Sequence, residues 1–477
     1  MKQAKVSIKL ISAAMAGLFL CIAVFLPYQI FLNAGVWFAN NSNPLVRYPG
    51  NVIYGDIVDA NDILLAGTYN NSRSYIADEA SRLSMAHVIG DANHTISGGV
   101  ETTLSGYLLG FRTNAFKRLV QSFSGSPRQG DSIKLSLDIA LNRCAASLFP
   151  KGKKGAIVIL DYTTGEIRAM TDTPTFDLTH SASGLSVDAV VNRVTERLLP
   201  PGSVMKTVVY AAALQYLPHI EEETWTCIGN LPVESGTIVE AGGAAHGVVT
   251  LEQAYTVSCN VCFANLAMQL GWDKLIATAK QFGIGDELLT TDIRMATGGL
   301  IWLNKEDADK GRDEAFYRTL DGLAQTGIGQ AKMLTTPMEM ALIAAAIANG
   351  GVMMEPRLLT YVKEVGGGAV PIASTVLKRA VSAEVAAKLK AAMISAVADG
   401  TGKNAKVAGV TVGGKTGSAE WGEKPKENLT HSWFTGFIDD AAHPLAICVV
   451  VEEGGSGGDS AAVIARNALT EALRLGY

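Results

Sequence analysis

Pro200-Pro201-Gly202-Ser203-Val204-Met205-Lys206 is the stretch that decides how this chain is read. The two prolines and the glycine stop the segment before them, and Ser203 then opens a helix, where a missing N–H costs nothing. Ser203 and Lys206 stand three residues apart, so a helix puts them on one face. A serine hydroxyl attacks poorly until a base takes its proton. A lysine can be that base where burial and nearby positive charge lower its pKa. The helix start adds a positive field and a free backbone N–H that can hold an oxyanion. Taken alone, the pattern arises more often from a surface helix with an ordinary serine and lysine.

Two later strings change that balance. In Ser258-Cys259-Asn260 the outer residues sit at i and i+2, and in a non-helical segment they point the same way. Ser258 can relay a proton to a leaving amine, and Asn260 can hold a substrate amide; the plain alternative is a serine that caps a helix. Gly413-Gly414-Lys415-Thr416-Gly417-Ser418 lies in a strand pattern. Lys415 brings a cation and Thr416 a hydroxyl to a substrate carboxylate, and the glycines let a peptide backbone approach. At a sheet edge such a strand can bind an extended peptide by strand addition. The ordered set Ser-x-x-Lys, Ser-x-Asn, Lys-Thr-Gly is the signature of serine enzymes that acylate on D-alanyl amides and β-lactams.

Outward from these strings, the pattern reads as α+β. Ile133, Leu135 and Leu137 alternate as in a strand, and a helix follows from Ile139. Gly155–Asp161, the Thr164-Gly165 turn and the run from Glu166 to Met170 make a hairpin. Helical periodicity returns over 203–216, 251–270 and 337–349; strands follow over 408–420, 431–438 and 444–452, and a helix over 459–475 closes the chain. Strands at both ends with helices between predict one antiparallel sheet with a helical lobe.

Lys2, Lys5 and Lys9 precede an uncharged run from Leu10 to Leu32. At ~1.5 Å per residue that run spans roughly 35 Å, enough for the ~30 Å hydrocarbon core. The lysines place the N-terminus in the cytoplasm and the rest outside it. A cleaved signal peptide is the alternative; the length of the run and the lack of an A-x-A site favour a retained anchor. The expected organisation is a tail over 1–9, an anchor over 10–32, a pedestal over 33–128 and a catalytic domain over 129–477. At 477 residues the chain has room for this. A net charge of −5 gives no sign of a nucleic-acid partner. The six cysteines and the histidines show no metal-ligand spacing, so neither metal nor cofactor is expected. Cys259 and Cys262 form a C-x-x-C, read as part of a helix entry in preference to a redox pair. His246 and His431 read as structural.

With these residues in view, the chain resembles the class B penicillin-binding proteins. Further likeness lies in Asn192-Arg193, in Gly327-Ile328-Gly329-Gln330, in Thr336-Pro337, in Ile347-Ala348-Asn349-Gly350-Gly351 and in His431 to Phe437. Gly55-Asp56-Ile57-Val58-Asp59 with Leu65-Ala66 is similar to a membrane-proximal stretch of the family, although Tyr54 and Asp62 stand where arginine and glycine are usual. The resemblance implies a transpeptidase or serine β-lactamase-like fold, an antiparallel sheet with helices on both sides and a helical lobe, and a D,D-transpeptidase that releases D-alanine from stem peptides ending in D-Ala-D-Ala. It implies Ser203 as nucleophile, Lys206 as its base and Ser258 as proton shuttle. Asn260, Lys415, Thr416, Gly417 and Ser418 would bind substrate, with the N–H groups of Ser203 and Ser418 forming the oxyanion hole. Implied partners are β-lactams, the cytoplasmic membrane and a membrane glycan polymerase, in wall elongation, division or sporulation. A D,D-carboxypeptidase, a β-lactam sensor or β-lactamase-like protein, and a non-catalytic scaffold are the alternatives.

Overall fold

Two nearly unbroken apolar runs, Gly155–Asp161 and Leu445–Val451, need cover on both faces, and they lie side by side inside a five-stranded antiparallel sheet. The strand order is Val412–Trp421, Leu429–Ile438, Leu445–Val451, Gly155–Asp161, Ile167–Thr173. The computed structural model describes residues 12, 14–25, 52–70, 72–112, 127–180, 182–234, 236–288, 290–299, 314–421 and 429–477. Alternate side chains of the inner strands enter different cores. Ala156, Val158, Leu160, Cys448 and Val450 pack with the Pro337–Ala348 helix, every residue of which is buried. Ile157, Ile159, Ile447 and Val449 pack with Ile464, Ala468 and Leu469 of the Ala461–Arg474 helix and with Leu141 of the Ile139–Ser147 helix. Each fully buried Ile, Leu or Val contributes about 1.5–3 kcal/mol. These two layers hold the sheet rigid, with Val412–Trp421 as one edge. The α+β class agrees with the pattern of the sequence, and the helices on both sides with the fold that the resemblance implies.

The helical lobe carries two departures from the expected elements. The segment 203–216 is not one helix: Gly202–Met205 is a 3-10 turn, and the α-helix runs from Lys206 to Tyr216. The segment 251–270 is two helices, Leu251–Thr256 and Asn260–Leu270. Between them Ser258 adopts a positive φ of 60°. The helix cap is the neighbouring Cys259, whose Sγ accepts from the Cys262 N–H at 3.4 Å. Apolar periodicity runs through the break because both helices bury the same face, so the pattern alone conceals it.

A second sheet of six strands is ordered Ala369–Pro371, Leu359–Lys363, Ser132–Leu135, Ile57–Val58, Leu64–Tyr69, Ser72–Tyr75. Ile57–Val58 pairs in parallel with Ser132–Leu135, so residues on both sides of position 128 share this sheet. The expected tail over 1–9 lies outside the described residues, as does all of 26–51. Within the expected anchor, residues 12 and 14–25 are described; they are helical and exposed, Leu18, Phe19, Leu20 and Phe25 among them. No helix among the described residues is long and apolar enough to cross a membrane.

Candidate active site

Ser203 sits on the 3-10 turn, and a pair of glycines sets where that turn lies. Gly202 has φ 56° and Gly329 φ 73°, both conformations that favour glycine. The Gly202 N–H donates to Gly329 O at 3.1 Å. A Cβ on Gly329 would stand 2.0 Å from Gly202 O, so the two backbones meet with no room for a side chain. The turn also touches the edge strand: a Cβ on Gly202 would lie 2.8 Å from Ser418 O, and one on Gly417 would lie 2.9 Å from Pro201 O. The backbones of Ser203 and Ser418 therefore belong to one small region. Gln330 Nε2 adds a contact at 3.4 Å to Ser418 O.

Lys206, the first residue of its helix, is fully buried. Its Nζ donates to Ser258 O at 2.6 Å and to Asn260 Oδ1 at 2.7 Å, and lies 3.2 Å from Ser258 Oγ. Lys415, also fully buried, lies 2.9 Å from the same Ser258 Oγ and donates to Thr416 O at 2.9 Å. One hydroxyl thus stands between two amines. A hydroxyl has one proton to give, so it can donate to one neutral amine while it accepts from a charged one.

Electrostatics favour that mixed state. Burial lowers the Lys206 pKa to about 8 from 10.5, and the negative Glu240 opposes part of the shift. Lys415 is pushed well below its ordinary range, first by burial and then by the charge of Lys206. Two buried ammonium groups sharing one hydroxyl repel, so one neutral amine and one cation is the arrangement the site favours.

Structure reveals further residues around this centre. Glu240 Oε2 accepts from the Asn260 N–H at 2.9 Å and Oε1 from the Val261 N–H at 2.7 Å, which satisfies the start of the Asn260–Leu270 helix. Thr416 Oγ1 pairs with Thr401 Oγ1 at 2.7 Å. Asn260 Nδ2 donates to Val239 O at 2.8 Å, and Ser418 Oγ accepts from the Gly457 N–H at 3.1 Å. None of Glu240, Thr401 and Gly457 stands near a motif in sequence, and none carries a local signal. His431 lies on the strand beside the site, where its Nδ1 accepts from the Glu453 N–H at 3.1 Å. Cys227, Glu240, His246 and Cys259, spread over 33 positions, converge with their donor atoms within 4.8 Å of one another. Sequence spacing gave no sign of that convergence.

The model of the penicillin-binding protein transpeptidase domain matches residues 155–470, which takes in every residue of the three motifs. The chain belongs to this family. It is 31% identical over 415 residues to the peptidoglycan D,D-transpeptidase PbpA of Mycolicibacterium smegmatis, covering 80% of each chain. It is 28% identical over 371 residues to the peptidoglycan D,D-transpeptidase MrdA of Acinetobacter baumannii, covering 70% of this chain and 53% of that one. Among solved structures, PBPA from Mycobacterium tuberculosis superposes with a TM-score of 0.77 at 27% identity, covering 89% of this chain and all of that one. The penicillin G acyl-enzyme complex of the same protein gives 0.76 at 27%, over 88% and 99%. The family's fold and the sheet and lobe described above are the same architecture.

Proposed function

We propose that this penicillin-binding protein is a peptidoglycan D,D-transpeptidase in which Ser203 carries the acyl group. The observation that carries the reading is Ser258 Oγ, 3.2 Å from Lys206 Nζ and 2.9 Å from Lys415 Nζ, with Lys206 following directly on the turn that bears Ser203. Neutral Lys206 takes the proton of the Ser203 hydroxyl as Oγ attacks the carbonyl of the penultimate D-alanine. The backbone N–H groups of Ser203 and Ser418 hold the oxyanion. As the amide C–N bond breaks, the proton passes from Lys206 through Ser258 Oγ to the departing D-alanine amine. An acceptor amine then attacks the Ser203 ester, loses a proton by the same route and leaves a new amide and free Ser203. The substrate carboxylate draws the buried Lys415 to its charged form, which in turn favours neutral Lys206; Lys415 and Thr416 then bind that carboxylate, Asn260 the substrate amide, and Gly417 and Ser418 the peptide backbone. A β-lactam follows the first half, except that its leaving nitrogen remains attached.

The exposed apolar helix over residues 14–25 and the uncharged run around it support a single-pass anchor with a cytoplasmic N-terminus. The organisation 1–9, 10–32, 33–128 and 129–477 follows from it, with the pedestal holding the catalytic domain above the membrane near a glycan polymerase. To test the reading, full-length protein is incubated with a labelled penicillin and the adduct mapped by mass spectrometry, then supplied with a D-Ala-D-Ala peptide and an amine acceptor. Label on Ser203 and an amide product are expected. Label retained by Ser203→Ala would overturn the assignment of the nucleophile, and hydrolysis alone would identify a carboxypeptidase.

A further inference from the structure

His87 stands on the Ala86–Ile89 helix, far in sequence from every motif residue, and is buried. Its Nδ1 lies 2.6 Å from Asp172 Oδ1, on the Ile167–Thr173 strand of the five-stranded sheet. Its Nε2 lies 2.8 Å from the backbone oxygen of Ala189. A carbonyl oxygen only accepts, so Nε2 carries a proton. A neutral imidazole then has no second proton, and Nδ1 would set a lone pair against the carboxylate. Two acceptors, one at each ring nitrogen, are the surroundings of an imidazolium. Asp172 turns its other oxygen to the same segment: Oδ2 accepts from the Arg193 N–H at 2.7 Å. His87 thus holds both ends of the turn over 189–193, Ala189 directly and Arg193 through Asp172. From there the chain leads to Ser203. It is pinned again where Val194 O accepts from the Met338 N–H at 2.9 Å, where Leu199 and Thr335 exchange bonds at 2.9 Å, and at Gly202.

We propose that His87 is a positioning residue for acylation: as an imidazolium it ties the Ala86–Ile89 helix to the turn that leads to Ser203. The inference rests on the reading of Ser203 as the acylated residue. The charged groups that face the ring are Asp172, Arg193 and Glu196. The Val100–Thr103 helix packs alongside, and its one acid, Glu101, is paired with Arg73 at 2.7 Å. Phe176 meets the ring edge-on, with centroids 5.3 Å apart. Burial pushes the His87 pKa down, but the Asp172 charge and the two hydrogen bonds outweigh it, and the value stands above the ordinary 6.5. The clamp's contribution to stability is therefore complete below about 6.5 and is lost as pH rises through the raised folded value. Asp172→Asn separates charge from contact. The Asn amide N–H can donate to a neutral Nδ1, its oxygen still accepts from Arg193, and the Nε2 proton still meets Ala189 O. The contacts remain and the second ring proton is gone.

The test uses full-length protein in detergent. Nitrogen NMR near pH 7 is expected to show protons on both ring nitrogens of His87, assigned by the signals that vanish in His87→Gln. Asp172→Asn is expected to leave one of those nitrogens bare. Stopped-flow kinetics with a labelled penicillin at the same pH separate noncovalent binding from the acylation step. His87→Ala is expected to slow the acylation step about 10-fold with binding changed less than about 2-fold, because a shifted nucleophile reacts more slowly without losing its binding surface. Asp172→Asn is expected to keep that step within about 3-fold of the parent. The urea midpoint of the parent, measured against that of Asp172→Asn, is expected to fall as pH rises. NMR of the parent and the Asp172→Asn comparison decide the matter where His87→Ala does not fold. Three results would each overturn the proposal: a bare ring nitrogen on His87 of the parent near pH 7, an acylation step unchanged in both His87→Ala and His87→Gln, or a midpoint difference that does not move between about pH 6 and 9. Label on a residue other than Ser203, with the ring protons and the midpoint shift as expected, would overturn the reading of the nucleophile and not the clamp.

Discussion

The two lysines of the site are held in opposite ways. Lys415 rides on a ten-residue strand paired along its whole length with Leu429–Ile438, from Val412 opposite Ile438 to Trp421 opposite Leu429. Backbone hydrogen bonds of the ladder set the place of its backbone, and its Nζ then meets Ser258 Oγ. Lys206 instead reaches across to a three-residue break between helices, where Ser258 has an uncommon backbone conformation and Glu240, some twenty positions upstream, holds the next helix start. One corner is built by the ladder, the other by side-chain contacts. The first is expected to tolerate the loss of one polar contact, and the second to depend on each.

The largest expected effect separates the two cations by chemistry. On the proposed mechanism Lys206→Arg removes the base, because arginine does not give up its proton near neutral pH. Acylation by labelled penicillin is expected to fall by about 1,000-fold or more. Lys415→Arg keeps the positive charge, so a loss of about 10–100-fold is expected. Equal losses in stopped-flow acylation would erase the distinction between base and carboxylate-binding cation.

Next in size is the glycine contact that sets the serine turn. Gly329→Ala forces a Cβ to within 2.0 Å of Gly202 O at a positive φ. A destabilisation of about 2–4 kcal/mol is expected in urea unfolding, with slower acylation because Ser203 moves with Gly202. A variant as stable and as fast as the parent would show that the turn is not held from this side.

The pH profile sharpens the account of the pair. The Lys206 value of about 8 lies below the ordinary 10.5, so the neutral, proton-accepting form gains as pH rises through it. Acylation is expected to climb about tenfold per unit below that value and to level off above it. Because the two amines interact, the profile belongs to the pair and not to one group. A rate independent of pH between 6 and 9 would exclude a neutral amine as the base.

The smallest effect is expected on the ladder side. Thr401→Val removes the Thr416 hydroxyl's partner, a neutral hydrogen bond at an exposed residue. A loss of about 0.5–1.5 kcal/mol and a change of only a few-fold in acylation are expected. A far larger loss in the acylation assay would mean that the edge strand also depends on single side chains.

How much was legible differs between the same two corners. Strands such as Leu445–Val451 announce themselves by apolar composition, and the Pro337–Ala348 helix by its periodicity; its cap, in which Thr336 and Glu339 exchange hydrogen bonds, was seen only in the structure. The lysines and serines of the three motifs were legible because their chemistry needs those residue types at short spacings. The break at 257–259 was not, since apolar residues keep helical spacing through it and the turn is imposed by packing.

From the amino-acid sequence came the α+β class, the strand that bears Lys415, the placing of Ser203 and Lys206 three residues apart at a helix start, and the family likeness. All of these rest on local propensity and periodicity, which act over a few residues. Tertiary structure alone decided that Ser258 Oγ stands between two buried amines, that Gly329 meets Gly202, and that Glu240 stands at the entry of a helix twenty residues away. It also decided that Cys227, Glu240, His246 and Cys259 meet at one point. Such contacts form only when distant segments fold back on one another, and the spacing of residues along a chain carries no record of that approach.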